Sequence, residues 1–218
     1  MRKNNNLNGQ DVLHWYKSIG ISYTESGFPI LAPLGDIEKE IKTMQFSFIN
    51  VAKDKDVWVH FYMHDFLFER IWNMPDRYIK VLKQYKGIFM PDFSVFSDMP
   101  MPLQQFNYYR LLWYGAYAQQ NGIKVIPNAI WGDKETYKWC FEGMPVNDII
   151  CISSVGCLRE KENAKIFYNG LEQCINILKP KIILLRASNG AYREVETFIA
   201  NKTNSEIRKV DYTVANKL

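Results

Sequence analysis

Three aspartates follow predicted β-strands and are the first candidates for chemistry in this sequence. Asp65, Asp92 and Asp133 each come directly or within a few residues after a short apolar run. In parallel α/β folds the carboxyl ends of successive strands meet at one edge, where active sites usually lie. Converging carboxylates there could act as general acid and base, or could hold Mg²⁺ or Mn²⁺ through oxygen ligands. Each aspartate could instead be a helix N-cap, a position that strongly prefers this residue. We therefore treat all three as candidate catalytic residues.

Six further residues near the same edge are candidates for substrate binding: Ser94, Asp98, Arg110, Trp131, Ser153 and Gly156. The turn 153–156 lies between a predicted strand and a predicted helix, where backbone N–H groups can bind phosphate. Trp131 could stack on a base or sugar, or be a core tryptophan. Arg110 could contact an anion, or form an ordinary ion pair. Neither a P-loop nor a dinucleotide fingerprint is present, so the sequence supports neither nucleoside triphosphate hydrolysis nor nicotinamide chemistry.

The elements that position these residues form one central strand–helix–strand unit over residues 87–133. A strand at 87–90 precedes the acidic loop of Asp92. A helix at 103–120 follows, with apolar residues at helical spacing and an Asn121-Gly122 stop. A second strand at 123–130 leads to Asp133. The unit predicts two parallel strands joined by a helical crossover.

The same rhythm extends to both sides of this unit. Predicted strands lie at 28–34, 45–50, 57–63, 148–152, 182–185 and 206–212, and predicted helices at 12–18, 37–44, 66–72, 77–86, 134–141, 160–178 and 192–200. In the strand 57–63, alternation places Trp58, His60 and Tyr62 on one face and Val59 and Phe61 on the other. His60 and His64 would stand ~13 Å apart on such a strand, too far to share a zinc ion.

This rhythm predicts an α/β fold with a mostly parallel sheet. The strand count and the polar face of strand 57–63 favour a small or irregular (β/α) barrel, and the alternative is an open doubly wound sheet. The length of 218 residues is short for a full barrel, which typically takes ~250. Residues 1–27 are expected to form an N-terminal extension with a short helix, and residues 28–218 a single α/β domain.

Four ordered motifs give the chain a resemblance to a known family. They are PDFS followed by SDMP at 91–100, WGD at 131–133, CFEGMP at 140–145 and SSVG at 153–156. Together they resemble domain-of-unknown-function family 4417, which is found largely in phages and mobile elements of Gram-positive bacteria. The match runs from about residue 29 to residue 185. The resemblance implies a phage or mobile-element origin and brings no reaction with it.

Composition and charge indicate an ordinary globular protein. Hydrophobic residues make up 47% of the chain, and the net charge of +4 includes no long run of like charges. Cys140, Cys151, Cys157 and Cys174 form no Cys-x-x-Cys pair, so we expect four free thiols and a reducing compartment. The sequence has no apolar stretch long enough for a membrane span. We expect a protein of the bacterial host cytoplasm with no membrane association.

Two classes of function follow. The first is an enzyme, a hydrolase or transferase, that acts on a nucleotide, nucleobase or nucleic-acid substrate with the strand-end carboxylates. The phage-related resemblance, rather than residue chemistry, implies that substrate class. The second is a non-catalytic α/β scaffold that binds a host or phage protein. Catalysis requires particular carboxylates, whereas a scaffold tolerates asparagine wherever capping survives.

Overall fold

Seven parallel strands in chain order form the centre of the protein, whose computed structural model describes residues 11–210. They are β1 (Thr43–Gln45), β2 (Trp58–His60), β3 (Gly87–Phe89), β4 (Val125–Ile126), β5 (Ile149–Ser153), β6 (Ile182–Arg186) and β7 (Glu206–Lys209). β1 to β4 form one sheet and β5 to β7 another, each in sequential order. A parallel bridge between Asn128 and Cys151 joins the two sheets. The mostly parallel sheet predicted from the sequence is thus confirmed for the strands that contain Val59, Phe89, Ile126, Cys151 and Leu184.

Helices lie between most of the strands. They are α1 (Asp65–Phe68), α2 (Arg70–Asn73), α3 (Pro75–Leu82), α4 (Met101–Gln120), α5 (Lys161–Leu178) and α6 (Asn189–Ala200). α4 has proline at its second position, where the missing N–H costs nothing, and ends before Asn121-Gly122 as predicted. None of the helices in residues 11–210 is long and apolar enough to span a membrane.

The two faces of the sheet pack against different parts of the chain. The buried side chains that the six α-helices contribute to the hydrophobic core all lie in one large cluster. Val59, Ile88 and Ile150 of the strands belong to the same cluster. The opposite face, which we call the inner face, carries Trp58, Tyr62, Phe89, Ile126, Cys151 and Leu184 in a separate small cluster. The alternation predicted for the strand around β2 is therefore confirmed. All the helices cover one face, as in a barrel wall.

The sheet does not close into a barrel, because β1 and β7 do not pair within the described residues. The mixed α/β fold with parallel strands is confirmed, and the sheet is open. A segment at residues 34–41 covers the inner face of the sheet. Its side chains Leu34, Ile37 and Ile41 pack against the small cluster on that face.

The predictions for this segment are wrong. Residues 30–42 contain neither the predicted strand at 28–34 nor the predicted helix at 37–44. The Asp148 carboxylate accepts hydrogen bonds from the N–H groups of Leu34 (2.6 Å) and Gly35 (3.0 Å). Arg208 donates to the carbonyl oxygens of Ile37 and Glu38, each at 3.1 Å. Because side chains of the sheet satisfy these backbone groups, the segment needs no regular structure of its own.

Three shorter elements also differ from their predictions. The predicted strand 45–50 is a 3₁₀ helix (Phe46–Phe48) that follows β1, and the predicted helix 134–141 is a 3₁₀ helix (Lys134–Lys138). The predicted helix 12–18 is a 3₁₀ helix (Trp15–Ser18). Predictions for residues 1–10, and for the last strand beyond Val210, lie outside the described residues.

Candidate active site

A cavity of about 630 Å³ opens at the carboxyl ends of the strands. Its lining comes from Tyr62, from residues 92–98 and 128–132, from the loop after β5, and from Asn163, Ile166 and Phe167 of α5. The volume is in the range of small-molecule sites, and the mixture of aromatic and polar side chains is typical of them. The edge that the sequence predicted as functional therefore carries a concave site.

Asp92 is the carboxylate most strongly affected by this environment. It retains some exposed surface at the cavity, yet protein atoms surround it. Burial raises the pKa of Asp92 to about 6, with the nearby Asp65 carboxylate adding to the rise and the Arg186 guanidinium opposing it. Asp92 is one of the residues that line the cavity.

Arg186 lies beneath the cavity at the end of β6. Its side chain is buried, and its guanidinium carbon stands 4.1 Å from the centre of the Tyr62 ring. It donates a hydrogen bond to the Ser153 hydroxyl at 3.1 Å. Burial, together with this positive charge, lowers the pKa of His60 on the inner face to about 3. His60 is thus neutral at physiological pH, and Arg186 supplies the positive charge below the cavity.

A buried hydrogen-bond network forms the floor. The Tyr62 hydroxyl donates to Asn128 Oδ1 at 2.6 Å and lies 2.9 Å from the Cys151 sulfur. The Asn128 amide donates to the carbonyl oxygen of Met90. Burial raises the pKa of Cys151 to about 12, so its thiol stays protonated. The network fixes the Asn128 amide, which joins β3, β4 and β5 at the cavity.

Asp65 acts through Ser94 rather than by lining the cavity. Its carboxylate accepts hydrogen bonds from the N–H and the hydroxyl of Ser94, both at 3.0 Å. Asn107 of α4 donates to the Ser94 carbonyl oxygen at 2.6 Å. These contacts hold the backbone next to Asp92. A catalytic role for Asp65 remains a sequence-based prediction.

Arg110 lies behind the wall of the cavity. It pairs with Glu69 at 2.6 Å, donates to Asn107 Oδ1 at 2.6 Å, and stacks 4.0 Å from the centre of the Phe93 ring. It is not a lining residue. The geometry matches the ion-pair alternative for Arg110 rather than an anion contact.

Asp133 is also outside the cavity lining. Its carboxylate accepts the N–H of Glu135 at 3.0 Å and thereby caps the 3₁₀ helix (Lys134–Lys138). This is the capping alternative, and a catalytic role for Asp133 remains a sequence-based prediction. The preceding Trp131 and Gly132 do line the cavity.

Trp131 forms part of the wall because α5 leaves room for it. A Cβ atom on Gly170 would lie 2.1 Å from Cδ1 and Nε1 of the indole. The ring also lies 5.7 Å from that of Phe167. Glycine at this point of α5 is thus required for the position of Trp131.

Five of the six predicted substrate-binding residues line the cavity, namely Ser94, Asp98, Trp131, Ser153 and Gly156. Sequence reasoning missed Tyr62 and Asn128 as site residues, although alternation had placed Tyr62 on the polar face of the predicted strand 57–63. It also missed Arg186, whose signal was its place at the end of a predicted strand. These residues depend on contacts between strands that are distant in sequence.

The cysteine prediction agrees with the structure, and the metal prediction receives no support from it. All four cysteines are free. No group of three or more His, Cys, Asp or Glu side chains in residues 11–210 is arranged to hold a metal ion. A Mg²⁺ or Mn²⁺ requirement therefore stays a prediction.

The fold and the site define an α/β protein with a small-molecule-sized cavity at the carboxyl ends of its parallel strands. The chain belongs to the family described as domain of unknown function DUF4417, whose sequence model matches residues 24–203. This confirms the resemblance carried by the four motifs.

Two phage proteins are similar to the chain. It is 38% identical over 126 residues to the Gene 1 protein of Mycobacterium phage L5, a match that covers 58% of this chain and 55% of that protein. It is 35% identical over 126 residues to the Gene 1 protein of Mycobacterium phage D29, covering 58% and 47%. The chain thus spans about half the length of these curated relatives. No solved structure matches it.

Proposed function

We propose that this protein is an enzyme in which Asp92 acts as a general acid or base on a substrate held in the strand-end cavity. The observation that carries the proposal is the enclosed Asp92 carboxylate, whose pKa is raised to about 6. A carboxyl group with a pKa near the working pH can both accept and release a proton at useful rates. Perturbed carboxylates in clefts mark functional sites more often than chance.

The other site residues have roles that follow from their contacts. Asp65 holds Ser94 and with it the backbone beside Asp92. Arg186 lies below the cavity, and its positive charge limits how far the pKa of Asp92 rises. Tyr62 and Asn128 form a fixed polar floor against which a substrate can be oriented. The substrate would be a nucleotide, a nucleobase or a nucleic-acid end, in line with the phage relatives, and the reaction would take place in the bacterial host cytoplasm.

The test is conversion of a defined set of compounds by the purified full chain. Nucleobases, nucleosides, nucleotides and short oligonucleotides are incubated with wild-type protein, with and without Mg²⁺ or Mn²⁺, and products are followed by mass spectrometry. We expect Asp92→Asn to reduce the rate of conversion at least ~100-fold, the usual scale for losing a general acid or base. Asp36→Asn is the matched control, because Asp36 is exposed on the segment that covers the inner face.

Two results would contradict the proposal. Full activity in a folded Asp92→Asn protein would remove Asp92 from the chemistry. Conversion of no compound by the wild type would favour the alternative, a scaffold that binds a host or phage protein. Phe66 of α1 and Phe96 of the loop between β3 and α4 are both exposed at this edge. Such apolar side chains would suit a protein partner.

A further inference from the structure

Two carboxylates line the cavity wall. Among the lining residues of the described chain, Asp92 and Asp98 are the charged ones, and no Lys, Arg or His is among them. Arg186 lies beneath the wall, where it donates to Ser153 and stacks on Tyr62. An anion in the cavity would therefore face these two carboxylates directly, with the Arg186 cation behind Ser153 and Tyr62. Asp98 is exposed, so salt partly screens its repulsion of an anion.

The start of α5 reaches the cavity through Asn163 and carries carboxylates of its own. α5 begins at Lys161, five residues beyond Gly156, so the loop 153–156 does not form its first turn. The N-cap residue is Glu160, and Glu162 lies in the first turn. Two carboxylates, with Lys161 between them, thus lie at the end of the helix where the dipole favours negative charge. The sequence-based expectation of a phosphate at this turn finds no support in this arrangement.

The remaining wall suits a flat, uncharged ring. Trp131 is held in the wall by the space that Gly170 leaves, and Phe96 has 60% of its surface exposed at the cavity. Aromatic side chains of this kind stack on bases with useful affinity. The oxygens of Asp92 and Asp98 are acceptors for ring or amino N–H groups, and the fixed amide of Asn128 is at the floor.

We propose that the cavity binds an uncharged nucleobase or nucleoside and discriminates, through Asp92 and Asp98, against the corresponding phosphorylated nucleotide. This inference rests on the proposed function for its substrate class. It narrows the proposed substrates to uncharged nucleobases and nucleosides.

The experiment is a comparison of eight probes on the full chain by isothermal titration calorimetry: adenosine, cytidine, guanosine and uridine, and the 5′-monophosphate of each. We expect at least one nucleoside to bind, and its monophosphate to bind at least about threefold more weakly, the scale of repulsion by one exposed carboxylate. Asp98→Asn should reduce this ratio, and so should added salt. Asp36→Asn, which removes the same charge from the segment over the inner face, should leave the ratio unchanged.

Several outcomes would overturn the inference. They are a monophosphate that binds as tightly as its nucleoside or more tightly, a ratio that neither Asp98→Asn nor salt alters, and no binding of any of the eight probes at millimolar concentration. These outcomes are separate from failure of the proposed function. Preferred binding of a nucleoside without any turnover would sustain the inference and remove the enzyme proposal. Turnover of a monophosphate that depends on Asp92 would do the reverse.

Discussion

At the scale of single residues, the three strand-end aspartates have different environments despite their similar positions in the sequence. Asp92 lines the cavity and is enclosed by protein atoms, Asp65 accepts hydrogen bonds from Ser94, and Asp133 caps a 3₁₀ helix. The sequence selected all three because each follows an apolar run. It gave no means of ranking them, since enclosure depends on loops that come from other strands.

The environment of Asp92 leads to a prediction about stability and pH. Its pKa is raised in the folded protein from 3.8 to about 6, so the folded state holds the proton more tightly than the unfolded state. Ionisation of Asp92 therefore leaves the free energy of unfolding unchanged below about pH 4 and lowers it by up to about 3 kcal/mol above pH 6. Asp92→Asn removes this cost. We expect the variant to be about 1–3 kcal/mol more stable than wild type at pH 7.5, with no gain at pH 4.

Urea denaturation of both proteins at the two pH values measures this difference. Comparing variant with wild type cancels other titrating groups, such as His60, whose lowered pKa acts in the opposite direction. Asp36→Asn serves as the exposed control and should show no such pH-dependent gain. A destabilised Asp92→Asn protein at pH 7.5 would mean that the carboxylate is bound by a partner in the folded state.

At the scale of elements, the two long helices were predicted well, whereas the predicted helices 12–18, 37–44 and 134–141 are not α-helices. The predicted helices 103–120 and 160–178 correspond to α4 (Met101–Gln120) and α5 (Lys161–Leu178). Several turns of apolar periodicity define such helices. Four to six residues of the same pattern do not distinguish a 3₁₀ helix from a strand or an α-helix.

Gly170 in the middle of α5 provides a test of how this element shapes the cavity. Alanine in a helix interior is normally about 1 kcal/mol more favourable than glycine. Here the added Cβ would collide with the Trp131 indole at 2.1 Å. We expect Gly170→Ala to destabilise the protein by about 1–3 kcal/mol, the usual cost of overpacking, and to shift the tryptophan fluorescence.

Gly190→Ala is the matched control for this change. Gly190 lies in the first turn of α6, and no atom lies within 4 Å of the position its Cβ would take. This substitution should be neutral or slightly stabilising in the same chemical denaturation. Equal behaviour of the two variants would show that α5 moves freely away from Trp131.

At the scale of the whole molecule, the segment 34–41 connects strands of both sheets across the inner face. Trp58 at the start of β2 donates from its indole nitrogen to Glu38 at 2.7 Å, and Arg208 of β7 donates to the carbonyl oxygens of Ile37 and Glu38. Asp148 anchors its beginning before β5. The segment thereby ties the two sheets together over the inner face, although β1 and β7 do not pair within the described residues.

Asp148 provides a test of this arrangement, because it is buried and accepts the N–H groups of Leu34 and Gly35. Asp148→Asn keeps the shape but loses the charge that strengthens both hydrogen bonds. We expect a loss of about 1.5–3 kcal/mol in the free energy of unfolding. Hydrogen exchange should show faster exchange at the amides of Leu34 and Gly35. Unchanged protection there would mean that apolar contacts alone hold the segment in place.

The sequence by itself determined the class of fold, the parallel order of the strands and the edge at which the cavity lies. These follow from local patterns: apolar runs of strand length, helical periodicity, and the handedness of the crossovers between them. The tertiary structure alone decided that the wall stays open, that residues 34–41 cover its inner face, and that Asp92 rather than Asp133 lies in the cavity. Each of these depends on contacts between residues far apart in the chain, such as Asp148 with Leu34, and periodicity contains no information about such contacts.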